Sequence, residues 1–192
     1  MDEAKSIFNR EVKFLKDGVK NSKNPYHTFS FSSFSPSFPE LRTIVLRMVT
    51  LDPLCIYFNT DYRSPKINQL RKNKYCSALF YNQERGVQFR LKCKSILNYN
   101  NDFSRKVWNK TPLQSRKCYM GPFPPSKKID EWHPNFPVEY SKKDPDLLRS
   151  EDGYINFVNI KLEVMESEIL ELHHNGHVRI LFKGSNMLYL SP

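Results

Sequence analysis

A period of two in the apolar residues, repeated in run after run, is the feature that most limits what this chain can fold into. In residues 41–49, Ile44, Leu46 and Met48 fall on one side of an extended backbone, and Thr43, Val45, Arg47 and Val49 fall on the other. Val87, Phe89, Leu91 and Cys93 alternate with Gln88, Arg90 and Lys92, and Val158, Ile160, Leu162 and Val164 repeat the pattern. Residues 54–58 are apolar almost throughout, as expected of a strand covered on both faces. Asn175-Gly176, between two further apolar runs, predicts a hairpin because both residues tolerate the positive φ of a tight turn.

Helical spacing is the exception. Ile7, Val12, Leu15 and Val19 form a stripe in residues 1–24, followed by a polar linker. Pro65, where a helix accepts proline, opens a short stripe through Ile67 and Leu70, and Phe103, Val107 and Trp108 mark another short helix. Seven of the thirteen prolines lie in residues 112–145, which predicts a long irregular loop. The expected architecture is mainly β: five to eight antiparallel strands in a barrel-like, Greek-key-like sheet with short helices at its periphery. The expected division is an N-terminal basic helix and linker, 1–24, and one β domain, 25–192.

With 192 residues, 39% of them hydrophobic, the chain is long enough for one packed core. Thirty Lys and Arg against twenty Asp and Glu give a net charge of +10, which favours phosphate-bearing partners. The basic residues are spread along the whole chain and form no single stripe, so nucleic-acid binding is the rival reading and not the expected one. No apolar run is long enough to span a bilayer and the N-terminus has no apolar signal stretch, so a cytoplasmic protein is expected. The four cysteines are 21, 17 and 25 residues apart and include no CxxC pair, and the turn at Asn175-Gly176 breaks up His173, His174 and His177; no metal site is expected.

The residues between Arg42 and Gln88 carry the clearest chemistry. Arg42 and Arg47 bracket one strand, Thr60 and Ser64 offer hydroxyls at the end of the next, and Lys66 stands in the first turn of a helix. Cations, hydroxyls and a helix N-terminus together suit a bound phosphate.

The same residues resemble a family. Arg42-Thr43-Ile44-Val45-Leu46-Arg47, then Thr60-Asp61-Tyr62-Arg63-Ser64-Pro65-Lys66, then Gln88-Phe89-Arg90-Leu91 are similar to the RTVVLR, TDxRSxK and QLR elements of the pyridoxamine 5'-phosphate oxidase-like FMN-binding split-barrel proteins. Trp108, Arg116 and Tyr119, then His177-Val178-Arg179, then the terminal Leu190-Ser191-Pro192 continue the likeness in order. The resemblance implies an FMN-binding split β-barrel, and a homodimer with FMN at the subunit interface. It implies that Arg42, Thr43, Val45 and Leu46 line the flavin, partly through backbone, with Asn59 and Thr60 against it. Lys66 and Ser64 would hold the phosphate, Gln88 the isoalloxazine edge, and Arg179 would reach the cofactor from the second half of the site. Arg47, Ser115 and His177 are the implied substrate contacts.

The chain also departs from the family pattern. Arg47 replaces a lysine, Asn59 an aromatic residue and Pro65 an arginine. Val107 and Thr111 stand where a tyrosine and an arginine grip the substrate phosphate, and Asn175 stands where the arginine partner of His177 would fall. Two missing guanidinium groups weaken the grip on a phosphorylated substrate. The expected function is therefore FMN-dependent oxidation or reduction of a small molecule, phosphorylated or not, with the family's usual oxidase activity in doubt. The alternatives are an FMN-binding protein without turnover and a basic nucleic-acid-binding barrel.

Overall fold

In the computed structural model, which describes residues 2–192, the alternating runs pair into one antiparallel sheet. Met1, the first residue of the expected N-terminal segment, lies outside the described residues. The stripe in that segment becomes helix α1 (Asp2–Lys20). Its Ala4, Ile7 and Leu15 enter the same core as the strands.

Strands β1 (Thr28–Phe34), β2 (Pro39–Val45), β3 (Met48–Thr50) and β4 (Cys55–Asp61) lead to helix α2 (Pro65–Lys72). Strands β5 (Tyr75–Asn82) and β6 (Val87–Tyr99) lead to α3 (Asp102–Asn109) and α4 (Leu113–Arg116), and, after a long connection, α5 (Leu147–Ser150). Strands β7 (Phe157–Glu171), β8 (Val178–Lys183) and β9 (Asn186–Tyr189) end the chain. The strand order is β2-β1-β5-β6-β7-β4-β3, with β8 and β9 branching from β7. Strand β7 is long enough to serve both: Phe157–Glu163 pairs with β4 and Ser167–Glu171 with β8. The result is a split barrel whose sheet does not close.

Nine strands form where five to eight were expected, partly because residues 41–49 are not one strand. The run bends at Leu46-Arg47. Before the bend it pairs with β1; after it, with β4. The bend itself is held by Leu46 N donating to His27 O and Arg47 N donating to Tyr57 O, both at 2.8 Å. Leu46 is fully buried, so one segment links both edges of the sheet through a single core side chain.

Phe29, Phe31, Ile56, Phe58, Phe80, Phe89, Leu91, Ile160 and Leu162 fill the interior. The apolar run at residues 55–58 is buried on both faces, as its composition implies, with Phe103 of α3 stacked on Tyr57 at 5.8 Å on the side away from the barrel. The proline-rich connection is largely irregular yet tied down. Asn135 accepts from Phe123 N at 3.1 Å and donates to Phe123 O at 2.9 Å, so one amide clasps the two sides of the loop. No helix among the described residues is long and apolar enough to cross a membrane.

Candidate functional site

The corner between β4 and α2 gathers two of the four cations that the sequence singles out, Arg42 and Lys66. Successive strand residues point to opposite faces, so Thr60 shares a face with the buried Phe58, while Asn59 points the other way. The following turn is braced by Asp61, whose carboxylate accepts from Arg63 N at 2.8 Å and pairs with the Arg63 guanidinium at 2.7 Å. Arg63 also donates to Gly121 O at 3.0 Å, which joins the turn to the proline-rich loop. Pro65 then starts α2 in its favoured position. Ser64 precedes it at the N-cap but makes no side-chain cap. Its hydroxyl instead accepts from Lys66 Nζ at 2.7 Å, and Thr60 Oγ1 accepts from the same ammonium at 3.0 Å.

Lys66 is thus held by two neutral oxygens and no carboxylate. Burial, and after it the charge of Arg42, lower its pKa to about 8, with Asp61 opposing them. Asp61 cannot relieve the ammonium more closely because Arg63 occupies it. Arg42 reaches in from β2. It donates to Ser33 Oγ at 2.6 Å and to Gln69 Oε1 at 3.3 Å, lies over the Phe31 ring at 5.6 Å, and pairs with the more exposed Glu40 at 3.2 Å. A lysine, two hydroxyls and a neighbouring guanidinium at a helix N-terminus are the donor set of a phosphate site.

On the opposite face of β4 lies a cavity of about 380 Å³ between the sheet and helices α3 and α4. Arg47, Asn59 and Ser115, all expected site residues, line it. Its wall is apolar, from Met48, Phe103, Val107 and Pro112, and its floor is an amide pair in which the buried Asn159 donates to Asn59 Oδ1 at 2.8 Å. Tyr119 closes one side, its hydroxyl pKa raised by burial. Of this lining, sequence reasoning had Phe103 only as the mark of a short helix and did not single out Asn159, Lys106 or Lys110. Only the i, i+4 spacing of the two lysines, each one residue before the family's tyrosine and arginine positions, was available as a signal.

The remaining expected residues lie elsewhere. Gln88 and Arg179 stand in one cross-strand row, Tyr81–Gln88–Leu170–Arg179, and Gln88 lines a shallow depression with Ser30 and Ser32, the β1 residues that alternate with the buried Phe29 and Phe31. This is the outer face of the sheet, away from Lys66. Arg179 pairs there with Glu168 at 2.9 Å. Thr43 and Val45 alternate with Arg42 on β2 and so face the same outer side, while β2 is an edge strand with one side unpaired. His177 sits exposed in the β7–β8 turn, where its Nδ1 accepts from His173 N at 3.1 Å, and does not line the cavity. Trp108, Arg116 and Tyr119 form a packing unit: Arg116 donates to Trp108 O and Thr111 O, and both Trp108 and Tyr119 pack on Phe157.

Residues 9–98 match the family described as pyridoxamine 5'-phosphate oxidase, FMN-binding domain. Over that segment, just under half of its length, the chain matches the FMN-binding domain of the pyridoxamine 5'-phosphate oxidase-like proteins. The matched segment contains the second half of α1, the bent β2–β3 run, the Lys66 corner and Gln88. Solved structures extend the likeness of fold to the whole length of this oxidase-like chain. A pyridoxamine 5'-phosphate oxidase-related, FMN binding protein from Nostoc punctiforme PCC 73102 is 20% identical over 96% of each chain, with a TM-score of 0.74. PhzG from Burkholderia lata 383, solved in complex with tetrahydrophenazine-1-carboxylic acid, is 16% identical over 97% of this chain and 91% of that one, with a TM-score of 0.65. No curated protein matches the chain in sequence. FMN is the cofactor of this oxidase-like domain, and the donor set around Lys66 fits its terminal phosphate.

Proposed function

We propose that the chain is an FMN-dependent oxidoreductase of a small molecule, working as a homodimer with FMN at the subunit interface. FMN supplies the redox chemistry when bound; the protein supplies position, charge and shelter from water. Lys66 carries the phosphate charge with Ser64 and Thr60 beside it, and Arg42 adds a second cation. The unpaired edge of β2 offers the backbone of Thr43 and Val45 to the flavin, with Asn59 at its margin; Leu46, expected beside them, is buried in the core with its N–H bonded to His27 O. Gln88 and Arg179 belong to the other half of the site. Their position on the outer face supports a second copy as the source, since one chain keeps them apart from its own Lys66. The substrate meets Arg47 and Ser115, with His177 arriving from the partner side. The ring compound in the PhzG complex is the kind of small molecule that suits a cavity of this size.

One observation carries the reading: a partly buried ammonium with hydroxyl partners, a guanidinium nearby and no carboxylate of its own. The test is the absorption spectrum of the purified protein and the mass of whatever denaturation releases. A yellow protein releasing FMN, and a Lys66→Ala variant that folds but loses it, is the expected outcome. A colourless protein that ignores added FMN would end the proposal.

A further inference from the structure

The cavity beneath α3 contains three cations, Arg47, Lys106 and Lys110, and no acidic side chain. Among the described residues none of the three forms a salt bridge. Lys106 lies in the last turn of α3 and Lys110 at its C-cap, four residues apart on one side of the helix. The helix dipole favours cations at that end. It does not account for two of them lining the same cavity as Arg47, and all three side chains are solvent-exposed there, open to an incoming anion.

The neighbouring groups cannot do their work. Thr111, at the family's arginine position, donates its hydroxyl back to Val107 O at 2.9 Å. The Val107 side chain has no polar atom to offer. Arg116 is buried and engaged by Thr111 O, Trp108 O, Ser150 Oγ and Glu151. That leaves the two lysines and Arg47 as the available charge, with the Ser115 hydroxyl beside them and an apolar wall of Phe103, Val107 and Pro112 opposite.

We infer that Lys106 and Lys110, with Arg47, form the anion-recognition element of this cavity, and that its ligand is a small ring compound bearing a phosphate or carboxylate. This rests on the substrate reading above and gives it a specificity element that differs from a tyrosine–arginine grip. Lysines are compact point charges and hold either anion without the two-pronged geometry an arginine selects. The ring packs on the apolar wall, and the amide floor of Asn59 and Asn159 meets its polar edge.

The FMN-loaded protein is titrated by calorimetry at low salt with pyridoxine 5'-phosphate and pyridoxine, and with quinoline-2-carboxylate and quinoline. At least one anion is expected to bind about tenfold or more tightly than its neutral counterpart, with a preference that shrinks as salt rises. Lys106→Gln/Lys110→Gln is expected to lose about tenfold in anion affinity while keeping the neutral compounds' affinity and the bound FMN. The single variants guard against a double variant that misfolds. Anion and neutral compound binding alike, neither anion binding, or variants that bind as the parent does would each overturn the inference. FMN content is read separately, so a protein that holds the anion but no FMN defeats the oxidoreductase reading and spares this one.

Discussion

Two clusters in this molecule are built from the same kinds of groups and differ in one respect. At Glu11, a fully buried carboxylate of α1 accepts from Arg85 at 2.7 and 2.8 Å, from Tyr26 Oη at 2.6 Å and from Arg10 at 2.8 Å. Arg10 also pairs with Glu171 of β7, and Arg85 lies over the Phe14 ring at 3.9 Å. At Lys66 the cations Lys66 and Arg42 meet hydroxyls and an amide, and the buried carboxylate nearby is taken by Arg63. The first cluster is balanced in charge within one chain, Arg10 and Arg85 against Glu11 and Glu171, and fastens α1 to the sheet. The second is short of negative charge: Lys66 has no carboxylate, and Arg42 has only the more exposed Glu40 at 3.2 Å. A protein that neutralises its buried charge in one place and leaves it unmatched in another has reserved the second place for a ligand.

The largest effect is expected at the balanced cluster. Glu11→Gln keeps the shape and removes the charge, leaving Arg85 and Arg10 without their shared partner. Because both arginines remain partly exposed, the loss is put at about 3 kcal/mol, the lower end for a broken buried pair, or roughly 6–12 °C in Tm. Flavin content per folded molecule should not change; if it falls with stability, the two clusters are not separate devices. The carboxylate also gives a pH signature. Burial alone would push the Glu11 carboxyl up, but the hydrogen bonds from Arg85, Tyr26 and Arg10 hold it below the usual range. Its contribution is therefore full above the unfolded value and is lost as pH falls through the folded one. Acid unfolding of the parent should include a step that is reduced in Glu11→Gln.

Lys66→Ala should give the opposite pattern. Removing a charge-assisted contact to a phosphate costs about 1.5–3 kcal/mol of FMN affinity, roughly tenfold to a hundredfold, read by equilibrium dialysis. Folding stability should move by less than about 1 kcal/mol, because no carboxylate is orphaned. A variant that loses stability and flavin together would make the cluster structural.

A finer version uses pH alone. Lys66 is charged in the FMN-free protein only below about 8. A bound phosphate stabilises the charged form, so affinity should be full below that value and decline by about tenfold per pH unit above it. The Lys66→Ala variant should show no such decline. A flat profile in the parent would mean that another group carries the phosphate.

The two clusters were not equally legible in the sequence. Thr60, Ser64 and Lys66 lie within one strand end, one turn and one helix start, where local rules of capping and alternation apply, so their meeting could be read from spacing; Arg42 reaches them from β2, a separate strand, and no local rule brings it there. Glu11, Arg85 and Glu171 are brought together only by packing α1 against two hairpins, and no local pattern announces that. The bend at Leu46-Arg47 was missed for the same reason: alternation continues through it, and only the bonds to His27 and Tyr57 show that the run changes partners. Gln88 and Arg179 were identified by motif, yet motif gives no side of the sheet. Their face follows from the register with Tyr81 and Leu170.

The smallest expected effect tests whether the cavity can be brought back toward the family pattern. Val107→Tyr/Thr111→Arg places a phenol and a guanidinium where the chain has a methyl-bearing wall and a hydroxyl turned back on its own helix. The arginine joins Arg47, Lys106 and Lys110 and so deepens the charge imbalance of the cavity. For an exposed, solvent-screened pair the gain is at most about 1 kcal/mol, or roughly fivefold in affinity for pyridoxine 5'-phosphate. Pyridoxine, without the phosphate, should gain nothing from the guanidinium and should lose a little to the bulk of the tyrosine in the apolar wall. Turnover of pyridoxine 5'-phosphate should rise with the affinity if the cavity opens onto the flavin. A gain in affinity with no gain in turnover would mean that the cavity recognises anions without presenting them to the cofactor, and the reserved charge would then belong to a binding protein and not to an enzyme.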